Sequence, residues 1–390
     1  MKENTLIKLY TDHLFKALEM WYDNYIMNLS IRRDIYMTEV KNIRKMLQDK
    51  EIEALLIFNP ENRQYVSGFT GSAGYVLISE KEQVFMTDFR YIEQAKKETK
   101  GFNIIEISRD NPVTDIIKEY NFNTLGIEDD FITYEQFLEF DEKLKNTKLV
   151  PLKKSLTEIR SIKSKEEISK IQRAAEITDK AYDHIINNIR PGLREIDIAL
   201  DLEYFMKTMG ASKVSFDIIV ASGYRSALPH GVASEKPLEK GDMVTIDFGC
   251  VYQGYCSDMT RSFVLGQATE KQKEVYYTVL EAQETALTAV KPGKTGKELD
   301  EIARKIITDK GFGEYFGHGL GHGVGLEVHE LPHVNHLGEK AMQPGMVITI
   351  EPGVYIPEFG GVRIEDLLTV TEDGYKLLSN TPKELIEISC

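Results

Sequence analysis

Cysteine is scarce in this chain: Cys250, Cys256 and Cys390 are the only three in 390 residues. They form neither a CxxC pair nor a disulfide framework, so reduced thiols and a cytoplasmic setting are the expectation. No run approaches the ~20 apolar residues of a membrane span. The opening residues, MKENTLIKLYTDHLFKALEMW, lack the basic stretch and apolar segment of a signal peptide. Lys and Arg number 48 against 62 acids, for a formal net charge of −14, and they gather into no basic stripe. That balance argues against nucleic acid and an anionic membrane as partners. Tryptophan occurs once, as Trp21, within residues 1–36. That stretch reads as an extension of unassigned role, either an extra helix or the product of an upstream translation start with Met37 as the functional one.

What the chain does have is enough length for two domains. From 37 to 155, helical and strand patterns alternate. VKNIRKMLQDK has helical periodicity and leads into the apolar run Ala54–Phe58. Strands are predicted at Tyr75–Ser79 and Gln83–Thr87, and helix-like segments flank Thr124–Ile127. This is a small α/β domain without a chemical motif. A basic, Ser-rich joint, PLKKSLTEIRSIKSKEE, follows. Ser164 and Glu167 then form a capping box at the head of a helix that stops at Arg190-Pro191-Gly192.

The second domain, 160–390, repeats itself. Pro191-Gly192 opens a helical segment ending at Gly210, and Pro292-Gly293 opens one ending at Gly311. A second capping box is expected at Thr269 and Gln272. GDMVTID and GMVITIE each place an acid, Asp247 and Glu351, six residues after a glycine, with another glycine two residues on. The shared order predicts an α+β unit duplicated about a pseudo-twofold axis.

Each half then supplies a second acid, Asp258 after the turn Tyr252-Gln253-Gly254 and Glu365 in GVRIEDLLTV. The strands beside them are apolar, as buried central strands are. Four carboxylates on core strands repel one another and need compensating charge. Two divalent cations supply it and bring the pKa of water to about 7. Five of the eight histidines, His318, His322, His329, His333 and His336, lie in a Gly-rich stretch that excludes a stable helix. Within it His322 and His329 are the preferred functional histidines, His333 and His336 stay open, and His230 in SALPHG is a further candidate. His329-Glu330-Leu331-Pro332-His333 spells HExxH. That zinc motif needs both histidines on one helical face, and Pro332 breaks such a helix.

SALPHG, TIDFG, YCSDMTRSF, GHGLGHGVGLEVHE, TIEPGVY and GVRIED, in this order, resemble the proline-specific branch of the pita-bread metallopeptidases, which contains aminopeptidase P and prolidase. NPENRQYVSGFTGSAG, from Asn59 to Gly74, is similar to a segment of that family's N-terminal domain. The resemblance covers 37–390 and implies a pita-bread domain behind a smaller α/β domain. It implies that Asp258 and Glu365 bridge two metals, that Asp247 completes one site, and that His322 and Glu351 complete the other. His230 and His329 would contact substrate, His318 is a further active-site histidine, and Arg363 stands beside the bridging glutamate. Thr260 is expected to hydrogen-bond near the metals.

The implied activity is Xaa-Pro aminopeptidase, removing the residue before a proline in second position, with Xaa-Pro dipeptidase as the alternative. Manganese is the expected metal, with cobalt, zinc or iron as substitutes, and a homodimer is the expected assembly. A methionine aminopeptidase is disfavoured by the N-terminal domain, and a non-catalytic binding module by the complete ligand set. One departure is Tyr224-Arg225, where relatives more often carry asparagine before the serine.

Overall fold

The computed structural model describes residues 39–389. The expectations for residues 1–36 and for Cys390 fall outside that range. The chain divides into two compact units between Leu156 and Thr157.

In the first unit a helix over 39–49 leads into the strand Ala54–Ile57, buried along its whole length. Burial on both faces is why it reads as an unbroken apolar run. It pairs antiparallel with Tyr75–Ser79 and parallel with Thr124–Ile127, at the centre of a six-stranded sheet. The strand Gln83–Thr87 joins Tyr75–Ser79 from the other side. Beyond Ile127 the buried Glu128 carboxylate receives the N–H groups of Phe58 (2.7 Å) and Asn59 (2.8 Å) and the Asn62 side-chain amide (2.6 Å). It thereby fixes the start of the helix Pro60–Ser67, whose Asn59 cap accepts from the Asn62 N–H. Burial raises the Glu128 carboxyl to about 7 in spite of those three bonds.

In the second unit the helix Lys165–Ile186 opens on the Ser164–Glu167 capping box, and Glu270–Thr288 opens on Thr269–Gln272. Each half places two helices on a sheet. Lys165–Ile186 and Glu195–Thr208 cover the sheet whose centre is Met243–Phe248 and Met259–Leu265. Glu270–Thr288 and Gly296–Asp309 cover the one whose centre is Val347–Ile350 and Asp366–Val370. The duplication is visible in the pairing. In each half the strand leading to the first acid runs antiparallel to the strand following the second, with Asp247 opposite Thr260 and Ile350 opposite Asp366. This is the α+β architecture that the repeated sequence pattern predicts.

The two halves are stitched at their inner strands. Ser262 Oγ donates to the Arg363 carbonyl at 3.0 Å, and the Glu365 N–H donates to the Thr260 carbonyl at 3.2 Å. Arg261, itself buried, reaches the Thr260 and Glu365 carbonyls and the Asp366 carboxylate.

Glu128 generates a prediction for the first unit. Its folded pKa lies above its unfolded value, so its contribution to stability is full below about pH 4.5 and is lost as pH rises through about 7. The ceiling is roughly 3 kcal/mol at ~1.4 kcal/mol per pK unit. Native-state hydrogen exchange at Ala54–Ile57, corrected for the intrinsic rate, should lose protection from pH 5.5 to 8 in the parent protein and stay level in Glu128→Gln. The same pH slope in both proteins would rule this out.

Candidate metal centre

Asp247 lies near the end of its strand, Glu351 follows Val347–Ile350 directly, and Asp258 and Glu365 each precede the strand that leads away. His322 is the middle residue of the short strand Gly321–Gly323. The flanking glycine is required by close approach, since a Cβ on Gly321 would lie 2.1 Å from the Thr349 carbonyl oxygen. The His322 N–H donates to Thr349 Oγ1 at 3.1 Å, and its Nε2 stands 3.2 Å from Glu351 Oε1 and 3.6 Å from Asp258 Oδ2. Ligand-capable atoms of Asp258, His322 and Glu365 all fall within 4.8 Å of one another. Asp247 and Glu351 adjoin this group without belonging to it.

Whether these residues suit cations is decided by which of their oxygens have partners. Thr260 Oγ1 donates to Glu365 Oε2 at 2.8 Å, and Arg363 Nη2 donates to Asp247 Oδ2 at 2.5 Å. The other oxygens of these side chains, Glu365 Oε1 and Asp247 Oδ1, are buried without a hydrogen-bond partner, as is Asp258 Oδ1. Buried polar atoms are rarely left unpaired. Here three carboxyl oxygens are, two of them on the acids grouped with the imidazole and one on the adjoining Asp247. An oxygen-rich set of this kind suits hard divalent cations. Burial raises the carboxyls of Asp247, Asp258 and Glu365, and charge from neighbouring acids adds to it. For Glu351 burial acts the same way but is outweighed, chiefly by the His322 hydrogen bond and charge, which hold it down at about 2.

Around the acids runs a buried hydrogen-bond chain. Arg363 donates from Nε to Thr260 Oγ1 (3.1 Å) and from Nη1 to Tyr355 Oη (2.6 Å) and the Pro229 carbonyl (3.2 Å). Tyr355 Oη is 2.9 Å from His318 Nε2, while His318 Nδ1 contacts the Gly319 carbonyl at 2.8 Å. Both His318 nitrogens are therefore engaged within the protein, which makes it a support for Tyr355 and Arg363. His329 projects at the exposed rim, its ring 4.2 Å from that of His322. His230 is also exposed, next to the Pro229 carbonyl that Arg363 holds. His333 and His336 are exposed and stand outside the Asp258–His322–Glu365 group. Residues Glu330–Val334 form a strand, so HExxH has no helix to work from.

Two ion pairs shape the histidine-bearing loops. Buried Glu195 pairs with Arg225 and accepts from the N–H and hydroxyl groups of Ser222 and Ser234, on either side of His230. Arg225, the departure noted in the sequence, thus fills a defined place. Asp300 pairs with Arg304 and accepts the Leu320 N–H, while Arg304 donates to the His318 carbonyl.

Residues 169–372 match the metallopeptidase family M24, and residues 40–162 match the creatinase/prolidase N-terminal domain. The chain belongs to family M24. It is a metal-dependent peptidase of the proline-specific branch, with the pita-bread fold behind its N-terminal domain. It is 45% identical over 348 residues to the Xaa-Pro dipeptidase of Pyrococcus furiosus, across 89% of this chain and 99% of that one. The structure of the Xaa-Pro dipeptidase from Bacillus anthracis superposes with a TM-score of 0.88 at 46% identity, covering 90% of this chain and 100% of that one. The X-Pro aminopeptidase from Thermotoga maritima gives 0.81 at 41%, covering 87% and 98%.

Tyr355 is the site residue that sequence reasoning missed, although it closes the TIEPGVY motif. A lone tyrosine in the short strand Gly353–Ile356 carries no periodic or spacing signal, and its contacts with Arg363 and His318 reveal it.

The Thr260 hydroxyl, buried between Arg363 and Glu365, should orient the latter as a ligand. Thr260→Val should weaken Mn2+ binding by roughly 10–100-fold, the usual cost of losing an outer-shell partner, with the fold retained. Calorimetric titration checks this, and unchanged affinity would deny the hydroxyl that role.

Proposed function

We propose that this M24 enzyme is an Xaa-Pro dipeptidase holding two divalent cations between Asp247, Asp258, His322, Glu351 and Glu365. The observation that carries the metal assignment is the grouping of Asp258 and Glu365, each with a partnerless buried carboxyl oxygen, around the His322 imidazole, with a third such oxygen on the adjoining Asp247. The dipeptidase reading, preferred here over the aminopeptidase suggested by the motifs, rests on the relatives at 45% and 46% identity that bear that name. In this reading Asp258 and Glu365 would be shared by the two cations, Asp247 would serve one, and His322 and Glu351 would serve the other. Manganese is the proposed metal, a homodimer in the cytoplasm the proposed state, and the buried free thiols of Cys250 and Cys256 accord with a reducing compartment.

When bound, the cations supply Lewis acidity and make water a nucleophile near pH 7. The protein's own groups do the rest. Arg363 ties up one Asp247 oxygen and leaves the other free. Glu351 would accept a proton from the attacking water and deliver it to the prolyl nitrogen as the C–N bond breaks. His329, at the rim beside His322, would offer an N–H to the carbonyl oxygen as charge develops there. His230 faces the same substrate from the other half. Proline lacks the N–H that a general peptidase engages, which is why such bonds call for a dedicated site.

Two experiments bear on this. Manganese-loaded enzyme should hydrolyse an Xaa-Pro dipeptide at least tenfold faster, in kcat/KM, than the matched Xaa-Pro-Yaa tripeptide. Efficient release of the first residue from the tripeptide would restore the aminopeptidase reading. Asp258→Ala and Glu365→Ala should each lower bound metal and abolish turnover, whereas His333→Ala should cost far less than His329→Ala. Full activity without Asp258 or Glu365 would remove the bridging assignment.

A further inference from the structure

Behind the rim histidines lies a charged cluster that the reaction does not use. Glu330, the acid of the HExxH string, stands outside the Asp258–His322–Glu365 group and is almost completely buried. Its Oε1 is 3.1 Å from Arg160 Nη2 and its Oε2 is 3.2 Å from Lys163 Nζ, both cations being buried as well. Arg160 also pairs with Glu327. Two cations thus meet two carboxylates, and both cations come from the basic joint EIRSIK at the head of this unit. The joint is anchored to the second half, since the Lys163 N–H donates to the Gly345 carbonyl at 2.9 Å.

The carboxylate that this platform holds acts on a loop. Glu330 Oε1 accepts the Glu327 N–H at 3.1 Å, and the Gly325 N–H donates to the Glu327 carbonyl at 3.0 Å. A Cβ on Gly325 would sit 2.5 Å from Glu330 Oε2, so the turn is wrapped tightly around the carboxyl group. The loop carries His322 before it and His329 after it, and its shape sets the 4.2 Å approach of their rings. The other two histidine loops are held in the same way, by Glu195–Arg225 and Asp300–Arg304.

We propose that Arg160 and Lys163 are positioning residues for His329, acting through the buried Glu330 carboxylate, which moulds residues 323–329 around itself. This rests on the substrate-contacting role given to His329 above. A buried ion pair need not stabilise a fold and is often replaceable by apolar side chains. The argument therefore concerns placement: displacing a reacting group by an ångström costs up to about a hundredfold in rate.

The test is a double-mutant cycle on the manganese-loaded full chain, with Glu330→Gln, His329→Ala and the pair. Glu330→Gln should lower kcat about ten- to hundredfold, leave KM for an Xaa-Pro dipeptide within about twofold, and retain its metal. Hydrogen exchange over 323–329 should quicken while the helix Glu270–Thr288 stays protected. Added to His329→Ala, the same substitution should cost less than about twofold more, because the group it positions is gone. Losses that multiply in the pair, or metal lost from Glu330→Gln, overturn the proposal in favour of a general structural role. Quickened exchange with parental turnover in Glu330→Gln overturns it alone, whereas parental turnover in His329→Ala overturns the role of His329 on which it rests. Should Glu330→Gln not fold, Arg160→Lys goes through the same cycle; it keeps the charge and loses the guanidinium fork.

Discussion

Four buried carboxylates within reach of one another are the constraint on which the catalytic unit is built. Ionised together in a low-dielectric interior they repel, and the repulsion falls on the seam between the two halves. The protein meets this locally with one arginine and one imidazole. Arg363 neutralises Asp247 and His322 neutralises Glu351, each by a direct contact. Asp258 has only the longer 3.6 Å approach of the same imidazole, and Glu365 has no cation partner among the described residues. Burial, with charge from neighbouring acids, raises both carboxyls well above the usual range. The charge deficit is thus concentrated on the two acids proposed to lie between the metals. Cation binding and closure of the seam are one problem with one solution.

The seam is held by pairings that leave those acids' outer oxygens alone. Arg261 binds the backbone of Glu365 and the side chain of Asp366, and Lys383 and Gln283 take the remaining Asp366 oxygen. Asp366 follows Glu365 in sequence, yet its carboxyl lies among cations and is held low although buried, while that of Glu365 is pushed up. Alternation along an extended strand sends successive side chains to opposite faces. One step along the chain therefore separates a structural carboxylate from a metal-seeking one.

Much of this was legible in the chain. The two capping boxes, the strands Tyr75–Ser79 and Gln83–Thr87, and the duplicated Gly–strand–acid pattern all rest on local rules, which the structure follows. The meeting of Asp258 with Glu365 could be inferred because the repeat supplies the symmetry that brings distant strands together, whereas His322 came from the Gly-rich histidine cluster and the family resemblance. What escaped was long-range and polar. Nothing in IRSIK announces a bond to Glu330, about 170 residues away, and Glu128 was one acid among many until it was found beneath the start of a helix. Arg225 looked like a departure and proves to be the partner of Glu195. In each case the decisive fact is burial of a charge beside its opposite, which no periodicity encodes.

The chemistry of the centre does not set the length of the substrate. Relatives named dipeptidase and aminopeptidase superpose on this chain almost equally well, and the proposed ligands would polarise a carbonyl whatever follows the proline. Discrimination has to lie where the far side of the proline would sit, outside the buried network. On the His230 side that rim is apolar and open, with Tyr224, Leu228 and Val232 all exposed. It stands on a loop held by the pairing of Glu195 with Arg225. A rim anchored by its own charge pair can change its fit to substrate without disturbing the acids beneath it. That separation allows one metal centre to serve peptidases of different reach.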